Sequence, residues 1–427
     1  MQYRLKAFLH YDIINLTYYY YAAKGGDLKM NTDTSRIFMV SAADIAEKMG
    51  AGWNYGNTLE ANFGGTPDET AWGNPKASQE MVDAVIEAGF GTIRIPISYL
   101  SKIDDSNGYK IEEEWLERIA EVVDYCYKRG LFVIINMHGD GYNTITGGWL
   151  LCNSSDQDHI KEKYSAVWRQ LAERFRDYDE HLIFESMNEV FDGVYHTPVP
   201  EYYENINDYD QIFVDTVRST GGNNTHRWLM VAGWNTDITY TCGGYGFRFP
   251  TDSENSVNDS RLILSVHCYD PWEYCGEVEK QIYLWGENGQ EIVEFDKEDP
   301  VYKAVWGEEE HIRSTFSMLK EMYVDKGIPV IIGEFGCIDK SFSNSAISNR
   351  IAENRVYYNG FVAGTAAKCG IVPVYWDNGF NGEFGFGLFD RNKLERTQPE
   401  IIEAIVNGVK NKDPMAGCDK VTINYAK

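Results

Sequence analysis

The sequence predicts an α/β fold, a (β/α)8 TIM barrel formed as one domain. Three observations predict it. Short apolar β-type runs alternate with amphipathic helical stretches from Ser41 onward. Eight such runs occur, the number that closes this barrel. Polar and aromatic residues gather where the runs end, which in such a barrel is one rim.

The runs read as strands are GAGWNYGNTL (50–59), GTIRIPIS (91–98), LFVIINMH (131–138) and LIFESMNE (182–189), then WLMVAGW (228–234), LILSVHCYD (262–270), IPVIIGEFG (328–336) and GIVPVYWDN (370–378). They are continuously apolar rather than alternating, as parallel strands covered on both faces are. SQEMVDAVIEAGF and EEEWLERIAEVVDYCYKRG place apolar residues at helical spacing and carry a Gly suited to a helix C-cap. DHIKEKYSAVWRQLAERFRDY, DYDQIFVDTVRSTGG, EEEHIRSTFSMLKEMYVDKG and NRIAENRVYYNGFVAGTAAKCG repeat the scheme, and TQPEIIEAIVNGVKN closes it. A doubly wound sheet is the alternative, but no G-x-G-x-x-G follows the first run.

The barrel is assigned to 41–410, with an N-terminal extension over 1–40 and a C-terminal tail over 411–427. The extension has early positive charge and small residues at Ala22 and Ala23, but His10, Asp12 and Asn15 interrupt its apolar stretch. It makes a poor secretion signal. An extra arm, or a reading frame that truly starts at Met30, fits as well. No apolar run of about 18 residues exists, so no membrane span is predicted.

The chain carries a formal charge of −26, from 39 basic and 65 acidic residues. That field repels phosphate backbones and anionic membrane surfaces, so nucleic acid is not an expected partner. A neutral ligand fits more easily, although acidity that serves solubility alone fits equally. Aromatics reach 14%, with 29 Tyr and 11 Trp. Flat rings in loops suit ligands with apolar faces, sugars among them. The eight Cys show no C-x-x-C and no Cys/His zinc spacing. Cys126, Cys337 and Cys369 fall in apolar patterns that favour buried thiols, and Cys268 and Cys275 are close enough to bridge a loop.

His138, Asn188 with Glu189, Trp234, His267 with Tyr269, Glu334 and Trp376 all fall at or near strand ends. The connections after the fourth, fifth and sixth strands are long and read as irregular, which marks functional loops. They carry Tyr195, Tyr240, Phe247, Trp272, Tyr274, Trp285 and Trp306, some of which are expected to wall a cleft and others to pack the loops down.

Glu189 and Glu334 end strands on opposite sides of the mouth. Two carboxyl groups facing over a cleft suit glycosidic bond cleavage: one protonates the leaving oxygen while the other, ionised, attacks the anomeric carbon. A separation of about 5–5.5 Å gives retention, and about 6.5–9.5 Å gives inversion. Arg94 is a cation inside an apolar run, able to hold a carboxylate ionised or to form a purely structural pair.

In their order along the chain, GWNYGNTLEA, TAWGNP, TIRIPISY, INMHGDG, ESMNEV, SVHCYDPW, IIGEFG and VYWDNG resemble the motifs of family 5 glycoside hydrolases, and subfamily 4 endo-β-glucanases most closely. The resemblance spans about 41 to 408. It implies that Glu189 is the acid/base and Glu334 the nucleophile of a retaining mechanism. It further implies that Asn188 donates to a sugar 2-hydroxyl, that Arg94 and Tyr269 orient the nucleophile, that His138 and His267 bond sugar hydroxyls and the acid's surroundings, and that Trp376 is a sugar platform. Asn57 and Trp72 belong to motifs near the glycone side. The chain departs from many relatives in having Gly139 where a second His follows His138, and in having Tyr55, a packing change, where Leu is frequent.

The expected function is endo-acting hydrolysis of β-1,4 bonds in cellulose-like, mixed-linkage or xyloglucan chains, by a secreted monomer with no cofactor and no metal. The extracellular location follows from substrate size. Alternatives are a β-mannanase or xylanase on the same scaffold, and a non-catalytic glycan-binding barrel, which would not need both carboxylates. A metal-dependent barrel hydrolase is disfavoured because the two strand-end His, His138 and His267, lie on separate strands without His-x-His or Asp/His partners.

Overall fold

A computed structural model describes residues 40–255, 261–295, 302–341 and 348–416, with the backbone alone at 291–295. The N-terminal extension up to residue 39, Met30 and Cys418 lie outside the described residues. Eight parallel strands close a barrel: β1 (Gly52–Asn54), β2 (Thr92–Ile95), β3 (Phe132–Ile135), β4 (Leu182–Glu185), β5 (Leu229–Asp237), β6 (Leu262–Cys268), β7 (Val330–Phe335) and β8 (Val372–Tyr375). Each pairs with its sequence neighbours, and β8 pairs with β1.

Strand parity sorts the side chains into two cores. Val133, Ile135, Leu182, Phe184, Leu262 and Leu264 point outward, into the layer shared with the helices. Ile134, Ile183, Met230, Ile263, Ile331 and Val374 belong to a smaller interior cluster. Val40, Ile45 and Met49 join that cluster, so the short helix Ile45–Met49 plugs the floor. Val40 is also bound by its main chain to Glu180 and Arg261, so the barrel unit includes a residue ahead of the boundary placed at 41. Above the apolar floor the interior turns polar, with Asn54, Arg94, Glu185 and Ser265 all buried. That layer underlies the rim.

The outer helices are α1 (Gln79–Glu87), α2 (Glu113–Tyr127), α3 (Gln157–Arg174), α4 (Pro200–Ser219), α5 (Ile238–Cys242), α6 (Glu309–Met322), α7 (Ser348–Lys368) and α8 (Pro399–Asn411). Helix α4 starts at Pro200, inside the connection read as loop. Pro fits the first helical turn, and Tyr203 and Ile206 extend the buried stripe of Tyr209 and Phe213 at helical spacing. The connection after β6 is also less irregular than expected. It holds the helices Trp272–Cys275 and Gly286–Phe295 and a strand pair, Ile282–Leu284 with Tyr302–Lys303. Tyr274 and Trp285 are buried and pack this connection down, whereas Trp272 and Trp306 stay about half exposed. The seven described cysteines are free thiols, Cys268 and Cys275 included.

The C-terminal boundary placed at 410 also moves outward, because the turn after α8 packs on α7. A methyl group at Gly364 would lie 2.4 Å from the Asp413 carbonyl oxygen and 2.5 Å from the Pro414 Cα. Helix propensity alone makes Gly→Ala favourable by about 1 kcal/mol, but overpacking against backbone costs about 1–3 kcal/mol. We expect Gly364→Ala to lower the thermal unfolding midpoint. A rise would show that α7 and the turn separate freely.

Candidate active site

In β4 the ladder ends before the side chains that matter. Strand β4 stops at Glu185, so Asn188 and Glu189 stand in the following turn, held by Ser186 N–H donating to Met230 O and Asn188 N–H to Met137 O (both 2.9 Å). In β6 the register shifts between Val266 and His267, and His267 then pairs with Glu334 of β7. Such an irregularity re-aims a side chain, and here it points His267 toward the mouth. Gly333 leaves the room: a Cβ there would be 3.1 Å from His267 Nε2 and 3.5 Å from Arg94 Nε.

Arg94, fully buried, is the hub. Its Nε donates to Glu185 Oε2 (2.7 Å) and its Nη1 to Asn54 Oδ1 (2.9 Å) and Glu334 Oε1 (2.8 Å). Its Nη2 donates to Asn188 Oδ1 (2.7 Å). Tyr269 donates to the other oxygen of Glu334 (3.0 Å). Glu189 accepts from the Tyr142 hydroxyl (2.7 Å), which also receives the Asn188 amide (2.9 Å). His267 Nδ1 lies 2.7 Å from Glu189 Oε1 and 3.7 Å from Glu334 Oε2. One oxygen of each carboxylate and a ring nitrogen of His267 all lie within 4.8 Å of one another. The side chain of Glu189 is 24% exposed against 6% for Glu334. Glu189 therefore faces the opening and Glu334 the floor.

Burial raises the Glu334 carboxyl above its ordinary range, against the pull of His267 and Arg94. Burial, the largest influence, acts the same way on Glu189, but the bond to His267, the His267 charge, the Tyr142 bond and Arg94 together outweigh it and the carboxyl is lowered. His267 is raised: burial lowers it, and the two carboxylates more than reverse that. Glu189 and His267 thus share one proton as a unit. Burial first, then Arg94 and His267, pushes His138 well below its ordinary value, so that imidazole is neutral. Tyr142 and Tyr269, desolvated beside carboxylates, are raised well above theirs and remain donors. Glu189, His267 and Glu334 could offer three ligand atoms to a cation. Both Glu334 oxygens are already engaged, however, and the Arg94 charge 2.8 Å away opposes a second positive charge.

The structure brings Arg94, Asn188, Glu189, His267, Tyr269 and Glu334 into one network. His138 and Trp376 form a stacked pair beside it, with ring centroids 5.8 Å apart and planes at 10°. Asn57 is not in the network. It sits in a turn at φ +55°, its carbonyl accepting from Asn74, and its neighbour Gly56 backs onto the Trp376 ring. Trp234 does not reach the cleft, being buried against Phe191 and Tyr203. Trp72 is partly exposed, and Tyr55 is buried on Trp53 with its hydroxyl accepting from Ser78 N–H. A second His at Gly139 would displace the Ser98 hydroxyl that accepts from Gly139 N–H, because a Cβ there would meet Ser98 Oγ at 2.4 Å.

Glu185 and Tyr142 were not read from the sequence. Glu185 carried a signal, as an acid at the end of an apolar strand matching Arg94 at the same depth in another. Tyr142 carried none, since nothing in its stretch says that the loop folds back to Glu189.

A sequence model of the cellulase family (glycosyl hydrolase family 5) matches residues 55–382. The chain is 50% identical over 375 residues to an endoglucanase A of Paenibacillus barcinonensis, covering 87% of this chain and 91% of that one. Among solved structures it superposes on a family 5 xyloglucanase from Paenibacillus pabuli with a TM-score of 0.80 at 50% identity, covering 86% and 99%. It superposes on a Bacteroides ovatus family 5 xyloglucanase, solved with a XXXG heptasaccharide, with a TM-score of 0.77 at 32% identity, covering 89% and 79%.

Glu185 competes with Glu334 for the Arg94 charge. In Glu185→Gln that competition ends, so we expect Glu334 to titrate at lower pH, read by carboxyl-carbon NMR. The same change breaks a buried ion pair, and the unfolding midpoint should fall by the equivalent of up to about 3–5 kcal/mol. An unmoved Glu334 titration would show that Arg94 is not shared.

Proposed function

The chain belongs to glycoside hydrolase family 5, and from that premise we propose that Glu334 is the nucleophile and Glu189 the acid/base of a retaining endo-β-1,4-glucanase. The approach of the two carboxylates to within 4.8 Å carries the reading. It suits the roughly 5–5.5 Å separation of retaining sites and falls short of the roughly 6.5–9.5 Å of inverting ones.

The division of roles rests on how each group is held. Glu334 is deep, and Arg94 and Tyr269 fix both its oxygens, which aligns it for attack. Glu189 is the more open and sits 2.7 Å from a ring nitrogen able to supply its proton. Whether that proton rests on His267 or on Glu189, the pair presents no net charge to Glu334. Protonated Glu189 then gives its proton to the glycosidic oxygen as Glu334 bonds to the anomeric carbon. In the second step Glu189 takes a proton from water, and that oxygen displaces Glu334. Asn188, held by Arg94 through its oxygen, presents its amide beside Tyr142, where it can meet a 2-hydroxyl. The stacked pair of His138 and Trp376 supplies the sugar's apolar support.

A glucan backbone, xyloglucan included, is supported by relatives named as an endoglucanase and as xyloglucanases. A polymer of this kind stays outside cells, and we infer the same location for the enzyme; activity confined to the cell fraction of a culture would refute that.

Glu334→Gln should lower kcat by several orders of magnitude while substrate binding survives; near-normal turnover removes the mechanism. Initial rates should be compared on xyloglucan, barley β-glucan, carboxymethyl cellulose and mannan, with proton NMR of the first product. We expect the glucans to exceed mannan and the β anomer to appear first. Fastest cleavage of mannan would overturn the backbone assignment, and an α anomer the retaining mechanism.

A further inference from the structure

We propose that Tyr195 is the platform for the leaving-group sugar, setting specificity on the far side of the bond that Glu189 protonates. The inference rests on the reading of Glu189 and Glu334 given above.

Tyr195 is 86% exposed, the most exposed aromatic ring among the described residues. Its loop is nonetheless tied down. Asp192 accepts from Val194 N–H (3.1 Å) and contacts His196 Nε2 (3.1 Å), while its carbonyl accepts the Asn143 amide (3.0 Å). The ring leans on Phe191, centroids 5.2 Å apart at 44°, and Phe191 is buried against Trp234. A built loop that keeps an apolar ring in water forgoes its burial energy, about 25 cal/mol per Å2, unless something covers the ring in use.

Position names what covers it. Tyr195 follows Glu189 on the same loop, and its hydroxyl is raised by the surrounding protein and then by the Glu189 charge. An acid/base lies beside the leaving oxygen, so a ring on its own loop meets the sugar beyond the cleaved bond. The glycone side already has the pair of His138 and Trp376, next to the turn that holds Asn57. A pyranose offers a C–H face that a phenol ring can cover without charge, which suits a neutral chain approaching this acidic protein.

The test compares cellohexaose, which places sugars beyond the bond, with cellotriosyl fluoride, whose leaving group is an ion that needs no platform. In Tyr195→Ala, kcat/KM on the hexaose should fall about tenfold relative to kcat/KM on the fluoride. Tyr195→Phe, which keeps the ring, should hold the wild-type ratio. An unchanged ratio in the alanine variant overturns the platform, as does a phenylalanine variant that behaves like alanine. Parallel losses on both substrates leave the ratio unchanged and count against it equally. A wild-type enzyme that turns over neither substrate instead sinks the glycosidase reading, and the platform falls with it.

Discussion

Everything at the mouth of this barrel depends on one buried guanidinium. An isolated cation at the position of Arg94 would carry a desolvation cost of several kcal/mol. Four acceptors offset it, from β1, β4, the turn after β4, and β7. They arrive there because the barrel brings alternate inward positions of those strands to the same depth. Removing Arg94 would leave two carboxylates facing each other without a counter-charge. The charge balance has a chemical consequence. One guanidinium, two carboxylates and a Glu189–His267 pair sharing one proton sum to a single excess negative charge. In the proposed mechanism an oxocarbenium-like sugar develops positive charge beside that excess, in a setting with little water to screen it.

The fold supplies this arrangement by breaking its own regularity. Below the polar layer, inward residues are mostly Ile, Val and Met, with Phe132 of β3, on a regular ladder. Above it the pairing slips at Ser265/His267, at Val266/His267 and between Ile332 and Phe335. A regular strand would point alternate residues inward and outward. The slips let His267 and Glu334 face the same space, and Gly333 keeps a side chain from crowding His267 and Arg94.

Much of this was legible because barrel strands are short and their rim residues are chemically unlike what precedes them. Glu189, Glu334, His267 and Tyr269 announce themselves as polar groups ending apolar runs, and Arg94 as a charge within one. Trp234 marks the limit of that signal: it falls at a strand end like the others, yet it is buried against Phe191 and Tyr203. Most strand limits were read too long, because IPIS and ESMNE remain hydrogen-bonded to their neighbours one bond at a time without being ladders; β5 instead runs on past Trp234 to Asp237. Tyr142 was invisible, since its role comes from a loop folding back over some 47 positions of sequence to Glu189. Asn57 lay in a matching motif, yet a positive φ turns its main chain, not its amide, to structural use.

In the proposed mechanism, with Glu334 as nucleophile, the electrostatics let Glu189 serve in turn as acid and base. Before reaction, Glu334 and Glu189 both pull on His267, which keeps a proton in the pair. Once Glu334 becomes an ester it carries no charge, and the anion 3.7 Å from His267 is gone. The pair's hold on its returning proton then rests on Glu189 alone. That proton came from the pair and left with the first leaving group, so the pair now stands empty beside a neutral ester, ready to accept from water. Displacement of Glu334 restores its charge, and with it the second anion that fixes the proton for the next cycle. No conformational step is needed, because the covalent state of Glu334 itself switches the proton affinity across the cleft.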